Sequence, residues 1–249
     1  MANEGRVCYT EGMEPINRYL DAAVLKPELT REEAIAAIKE SIGWKTRTVC
    51  VRPCDIALAK SLCAGTETGV SCVLSFPHGT EPTPVKAFAA ETYADLGADE
   101  IDMVANFGLI RSGAWAEVEA DVAAVAAVCK RRGVLLKVIF ETCYLTEAQI
   151  ERAVEACVSA GADFVKTSTG FASGGATVEA VQTMIRAAKG RVKVKPSGGI
   201  RDRETAIKYV EMGAERLGTN YAASEAICAP KPGAANPAST GGKSPAGQY

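Results

Sequence analysis

Histidine is almost absent: the 249 residues contain one, His78. A zinc centre built on several imidazoles is therefore excluded, and any Ser-His-Asp or Cys-His pair must run through that residue. The chain also lacks a C-x-x-C pair, although it has nine cysteines, at 8, 50, 54, 63, 72, 129, 143, 157 and 228. An odd, scattered set reads as reduced thiols used as small apolar side chains, not as a disulfide or metal framework. No apolar run is long enough to span a bilayer, and the N-terminal stretch has neither the charged start nor the apolar middle of a signal peptide. Net charge is nearly missing as well, at −2 from 28 Lys+Arg and 30 Asp+Glu. That balance gives no electrostatic reason to expect nucleic acid or an anionic membrane as partner. A cytoplasmic address follows, with no metal site, and the chemistry is left to lysines, carboxylates, hydroxyls or a cofactor.

What is present is a regular alternation. Short β-branched or apolar runs at Arg18–Leu25, Thr48–Val51, Ser71–Ser75, Glu100–Val104, Leu135–Phe140, Phe164–Thr167, Val192–Lys195 and Arg216–Gly218 predict eight strands. They recur about every 28 residues, the length of one strand, one helix and two loops. Eight such β–α units predict an α/β chain folded as a single (β/α)8 TIM barrel over residues 1–226. Between the strands, Thr30 with Glu33 and Thr146 with Gln149 have capping-box spacing, and Val118, Val122, Val125 and Val128 form one helical stripe. Gly97, Gly161 and Gly213 each close a helical pattern and open a strand. From residue 227 to 249 the pattern stops, and four prolines and four glycines predict a flexible tail that ends on Tyr249.

Charged residues inside the strands of a parallel barrel are costly, because both faces are buried. Asp102, Lys137, Lys166 and Lys195 nevertheless lie in four different strands, and Asp21 lies in the first. One such residue alone is more often a paired structural ion. Five on separate strands that converge on one cavity point to a site. A protonated lysine cannot attack a carbonyl, whereas burial and a neighbouring ammonium both favour its neutral form. A neutral lysine forms a Schiff base with an aldehyde, and an aspartate nearby can move the protons. This is the equipment of a metal-free aldolase.

The segments Leu-Lys-Val-Ile-Phe-Glu-Thr-Cys-Tyr-Leu-Thr (136–146), Gly-Ala-Asp-Phe-Val-Lys-Thr-Ser-Thr-Gly-Phe (161–171) and Val-Lys-Pro-Ser-Gly-Gly-Ile-Arg (194–201) resemble the deoxyribose-phosphate aldolase family. Val-Leu-Ser-Phe-Pro-His-Gly (73–79) and Glu-Ile-Asp-Met-Val-Ala-Asn-Phe-Gly (100–108) are similar to the family's third and fourth strands. The resemblance implies a class I aldolase that reversibly joins acetaldehyde to glyceraldehyde 3-phosphate without metal or organic cofactor. It implies Lys166 as the Schiff-base lysine, Lys195 as the cation that depresses its pKa, Asp102 as the proton relay, and Lys137 and Asp21 as the supporting network. Thr169, Gly198, Gly199, Gly218 and Asn220 are expected on the substrate and phosphate side, and Tyr249 as a proton-relay helper reaching in from the tail. The partners implied are small aldehydes and sugar phosphates, with homo-oligomerisation left open.

The chain departs from the family pattern at Ala23, where a hydroxyl is usual, at Arg52, and at the turn Gly218-Thr219-Asn220-Tyr221. Tyr221 is bulky where close backbone approach to a phosphate is wanted, and Arg52 is a candidate replacement anion contact. Two alternatives therefore stand: the same chemistry on an unphosphorylated or different aldehyde, or a non-catalytic barrel that binds a sugar phosphate. His78 and Cys50 are expected to be a mouth loop residue and a small buried residue.

Overall fold

Eight strands alternate with helices along residues 14–229, the part of the chain that the computed structural model describes. The strands are β1 (Leu20–Val24), β2 (Thr48–Val51), β3 (Gly69–Leu74), β4 (Glu100–Val104), β5 (Leu135–Ile139), β6 (Phe164–Lys166), β7 (Lys193–Lys195) and β8 (Leu217–Asn220). The helices are α1 (Arg31–Gly43), α2 (Ile56–Cys63), α3 (Thr83–Asp95), α4 (Phe107–Ser112), α5 (Trp115–Arg132), α6 (Glu147–Ala160), α7 (Val178–Ala188), α8 (Arg203–Glu211) and α9 (Ser224–Cys228). All seven strand pairings are parallel, in the order β7-β6-β5-β4-β3-β2-β1-β8. The remaining seam, β7 to β8, closes through a bridge between Ser197 and Gly218 and hydrogen bonds from Gly218 N to Pro196 O (2.8 Å) and Glu215 N to Val194 O (3.1 Å). The result is the expected TIM barrel.

Strand ends differ from expectation for local reasons. Residues 16–19 form a 3₁₀ turn after Pro15 instead of the start of β1, because Arg18 N donates back to Pro15 O (2.8 Å). Both capping boxes form, at Thr30 with Glu33 and at Thr146 with Gln149, and each satisfies two otherwise orphaned amides. The valine stripe of α5 is buried. Gly161 ends α6 at φ 82°, a conformation that a Cβ makes costly. No helix among the described residues is long and apolar enough to cross a membrane. At the expected boundary near 226, α9 reaches Cys228, and Ile227 is fully buried beside Leu20, Tyr209 and Leu217. Residues 230–249, with Tyr249, lie outside the described residues.

The two-residue period of a strand sorts the core into two populations. Ile101 and Met103 of β4, and Leu136 and Val138 of β5, point outward into the apolar layer beneath the helices. Their neighbours Glu100, Asp102 and Lys137 point the other way and pair with one another inside the barrel. The apolar layer holds the fold together, and the interior is left for charge.

Candidate active site

Asp102, on β4, is the hub of the interior. Its Oδ1 lies 2.8 Å from Lys137 Nζ, and its Oδ2 lies 2.7 Å from both Lys166 Nζ and Lys195 Nζ. Asp21 of β1 joins from the other side, 2.5 Å from Lys195, 3.4 Å from Lys137 and 2.6 Å from Arg216. The structure thus brings together the five residues expected from the sequence. It adds two that sequence reasoning missed, Glu100 and Arg216, which sit 2.8 Å apart at the base of the cluster, with Glu100 also 2.5 Å from Lys137. Thr48 and Ser71 donate to Asp21 and Asp102 (2.7 and 3.1 Å) and fill their remaining acceptor positions.

Burial alone would favour the neutral form of each of these groups. For Asp102 that effect is outweighed by Lys137, Lys166 and Lys195, which hold the carboxyl well below the usual carboxylate range. Asp21 is likewise lowered against burial by Lys137, Lys195 and Arg216. Burial opposes the charge of Lys137 too, but Asp102, Asp21 and Glu100 together hold its pKa well above the ordinary lysine value. Lys195 goes the other way. Burial pulls its ammonium down, Lys137 and Lys166 add to that pull, and Asp102 and Asp21 fall short of reversing it.

The cluster opens at the C-terminal ends of the strands into a cavity of about 490 Å³. Lys166, Lys195 and Asp21 line it, whereas Asp102 and Lys137 lie sealed beneath. Thr169, Gly198, Gly199, Gly218 and Asn220, all expected on the substrate side, line the wall. Gly198 and Gly199 both have positive φ, 86° and 84°, so their backbone is shaped into a turn facing the cavity, with the cations Lys26 and Arg201 at its mouth. At Gly218 the need is spatial: a Cβ would come within 2.8 Å of Ser197 Cβ and 3.3 Å of Lys195 Cε. Asn220 caps the 3₁₀ turn Tyr221–Ala223 by accepting from Ala222 N (3.0 Å).

Tyr221 packs into the apolar layer and does not line the cavity, so it does not fill the turn. Arg52 is tied to Asp55 (2.6 Å) and to the carbonyls of Lys26, Pro27 and Leu29, which makes it a loop staple, and it does not line the cavity. Ala23 and Cys50, paired in register across β1 and β2, both line the cavity. His78 is exposed and lies outside the cavity wall.

An aldolase family model, DeoC/LacD, matches residues 17–224, the whole barrel up to the start of α9. The chain belongs to the DeoC/LacD aldolase family. Deoxyribose-phosphate aldolase of Thermococcus kodakarensis is 44% identical over 207 residues, which cover 82% of this chain and 92% of that one. The protein of the same name from Mannheimia succiniciproducens is 44% identical over 207 residues, covering 83% and 92%. Among solved structures, QR15, an aldolase, superposes with a TM-score of 0.80 at 42% identity and covers 85% of this chain and 94% of its own. The deoxyribose phosphate aldolase from Aeropyrum pernix superposes at 0.79 with 29% identity, over 85% and 89%. As in any family of TIM barrels, the strand ends of this DeoC/LacD member are where its chemistry is to be sought.

Proposed function

We propose that the protein is a class I deoxyribose-phosphate aldolase that works through a Schiff base on Lys166. The observation that carries this reading is the charge count of the barrel interior. Three carboxylates (Asp21, Glu100, Asp102) face four cations (Lys137, Lys166, Lys195, Arg216), all buried. One proton is in excess, and losing it from a lysine leaves a neutral network at little electrostatic cost. Lys166 has one carboxylate contact, Lys195 two and Lys137 three, and Lys166 is also the least buried of the three lysines. Lys166 is therefore the amine that meets the substrate.

In the cleavage direction Lys166 Nζ adds to C1 of the open-chain sugar and loses water to give an iminium. The 3-hydroxyl proton leaves through a water molecule to the Asp102–Lys195 pair as the C2–C3 bond breaks. Glyceraldehyde 3-phosphate departs, the electron pair rests in the enamine, and protonation at C2 followed by hydrolysis returns acetaldehyde and the amine. Within the pair, Asp102 is held too far below its ordinary range to be a strong base by itself. Lys195, lowered from the lysine value, is the better-matched proton carrier, and Asp102 is the counter-ion that links it to Lys166. The phosphate fits the wall made by the 198–199 turn, with Lys26 and Arg201 at its rim. The eight described cysteines are all free, which suits a reducing, cytoplasmic compartment.

The test is borohydride trapping with acetaldehyde and peptide mapping, beside cleavage assays on deoxyribose 5-phosphate and free deoxyribose. A single adduct on Lys166 and preference for the phosphorylated sugar are expected. An adduct on Lys195 instead would reverse the roles of the two lysines. No adduct and no cleavage, with the sugar phosphate still bound, would mean a non-catalytic barrel.

A further inference from the structure

One buried carboxylate beside the cavity has no part in the steps above. Glu141 follows β5, two residues beyond its end, and is 1% exposed. Its backbone is left-handed at φ 56° and ψ 63°, a conformation that costs a non-glycine residue about 1 kcal/mol or more and that marks functional sites more often than chance. The chain on either side is fixed: Phe140 N donates to Lys166 O and Thr142 N to Thr167 O, both at 3.0 Å. Glu141 is thereby aimed from the end of β5 across to the segment that follows β6.

There its carboxylate meets Thr169. Both oxygens lie 3.3 Å from Thr169 N, and Oε2 also accepts from the Thr169 hydroxyl. That hydroxyl in turn accepts from Phe171 N at 3.0 Å. Thr169, Gly170 and Phe171 form one wall of the cavity, and Phe171 reaches across to meet Phe76 edge-on at 5.0 Å. One carboxylate thus holds three consecutive wall residues, beginning three positions after Lys166. Among the described residues no cation lies within ion-pair distance of Glu141, so its charge answers to Thr169 and to the more distant Lys166. Burial pushes its carboxyl above the usual range, against the pull of Thr169 and Lys166. A buried carboxylate without a close cation is expensive to keep, and a loop staple does not require one.

Building on the aldolase reading above, we infer that Glu141 is a positioning residue for the reaction: through Thr169 it fixes the wall at 169–171 against which the sugar phosphate is held. It acts on how the sugar binds and leaves the amine chemistry of Lys166 in place. A residue that served only the fold would weaken both together.

The experiment compares Glu141→Gln, Thr169→Val and the double variant for cleavage of deoxyribose 5-phosphate, for borohydride trapping of acetaldehyde on Lys166, and for melting temperature. Glu141→Gln should raise KM by about tenfold or more, the usual cost of losing a hydrogen bond to a charged group, with kcat and the trapping rate within about threefold of the parent. The double variant should be no worse than the worse single one, because both changes break the same link. If Glu141→Gln does not accumulate folded, Glu141→Asp, which keeps the charge but withdraws it by one methylene, is judged by the same split. Unchanged KM in a folded variant, additive losses in the double variant, or trapping lost in parallel with KM would each overturn the inference. A parent protein that neither cleaves the sugar phosphate nor forms an adduct would remove the aldolase reading, and this inference with it. Cleavage by the parent with unchanged KM in the variants would remove the inference alone.

Discussion

Lys137 and Lys195 are both lysines on barrel strands, both buried within the same ion cluster, yet burial loses over one and wins over the other. Lys137, at the floor, touches three carboxylates and is held charged. Lys195, at the mouth, touches two and is pulled down. The third carboxylate is Glu100, which Arg216 holds in place by a two-pronged contact at 2.8 and 3.1 Å. The floor is therefore a charge-balanced foundation, and the mouth is where the excess proton is cheapest to remove. The residue type does not set the role of a buried lysine here; the number of its carboxylates does.

The largest loss of function is expected at the mouth. Lys166→Ala should reduce cleavage of deoxyribose 5-phosphate to background, a loss on the order of ten-thousandfold, and abolish the borohydride adduct. Activity within tenfold of the parent would remove the Schiff-base assignment. The same substitution at the floor, Lys137→Ala, should instead show first as lost folding, since it strips a cation from three buried carboxylates at once.

Asp102→Asn strikes the group that floor and mouth share. It should cost about 3–5 kcal/mol of stability, because three lysines lose their common partner. The sign of its pH dependence follows from the lowered pKa. Asp102 and Asp21 are depressed in the folded state, so the stability they supply is present above the unfolded carboxylate value of about 4 and is lost as pH falls below it. Denaturant titrations between pH 3 and 7 should show the parent weakening below about pH 4, and the variant weakening less over the same interval. Equal slopes for the two proteins would mean that Asp102 is not held low.

Much of this contrast is legible in the chain itself, and the part that is not has a physical reason. Thr48–Val51 and Glu100–Val104 are strands over the residues expected, since each is an apolar run bounded by a turn. The five interior charges stand out because they interrupt such runs. Glu100 and Arg216 do not stand out, because each sits where a strand begins, and a charge there reads as a solvated end. The two-residue period holds the missing signal: Glu100 precedes Asp102 by two, and Arg216 precedes Gly218 by two, so each pair shares a face. Glu141 is four residues beyond Lys137 and shares its parity, but its left-handed backbone lies past the strand, where parity no longer predicts direction. The link from Arg52 to three carbonyls of the loop after β1 depends on tertiary placement that no local pattern encodes.

Glu100→Gln should have a smaller effect, because it turns the floor into a copy of the mouth. Lys137 is then left with two carboxylates, the number Lys195 has. Stability should fall by about 1–3 kcal/mol, since the amide keeps the shape while the charge-assisted bonds to Lys137 and Arg216 weaken. Turnover should change less than in Asp102→Asn, because Glu100 does not touch Lys166 or Lys195. A loss of turnover as large as that of Asp102→Asn would show that the floor takes part in the chemistry.

The smallest effect concerns a residue that faces the mouth without sharing its chemistry. Cys50 lines the cavity beside Lys166 and Lys195, two neighbours of the kind that activate a thiol where burial does not intervene. Burial acts first, with Asp102 in support, and together they push the Cys50 thiol up to about 11 against the three lysines. Cys54 and Cys143 are exposed to solvent. With a water-soluble thiol reagent at pH 8, peptide mapping should find Cys54 and Cys143 modified first and Cys50 roughly a hundredfold slower, with turnover unaffected until Cys50 reacts. Equal rates at Cys50 and Cys54 would mean that the lysines govern the mouth more strongly than burial does. Lys195 would then keep its charge as firmly as Lys137, and the difference between floor and mouth would have to rest on solvent access alone.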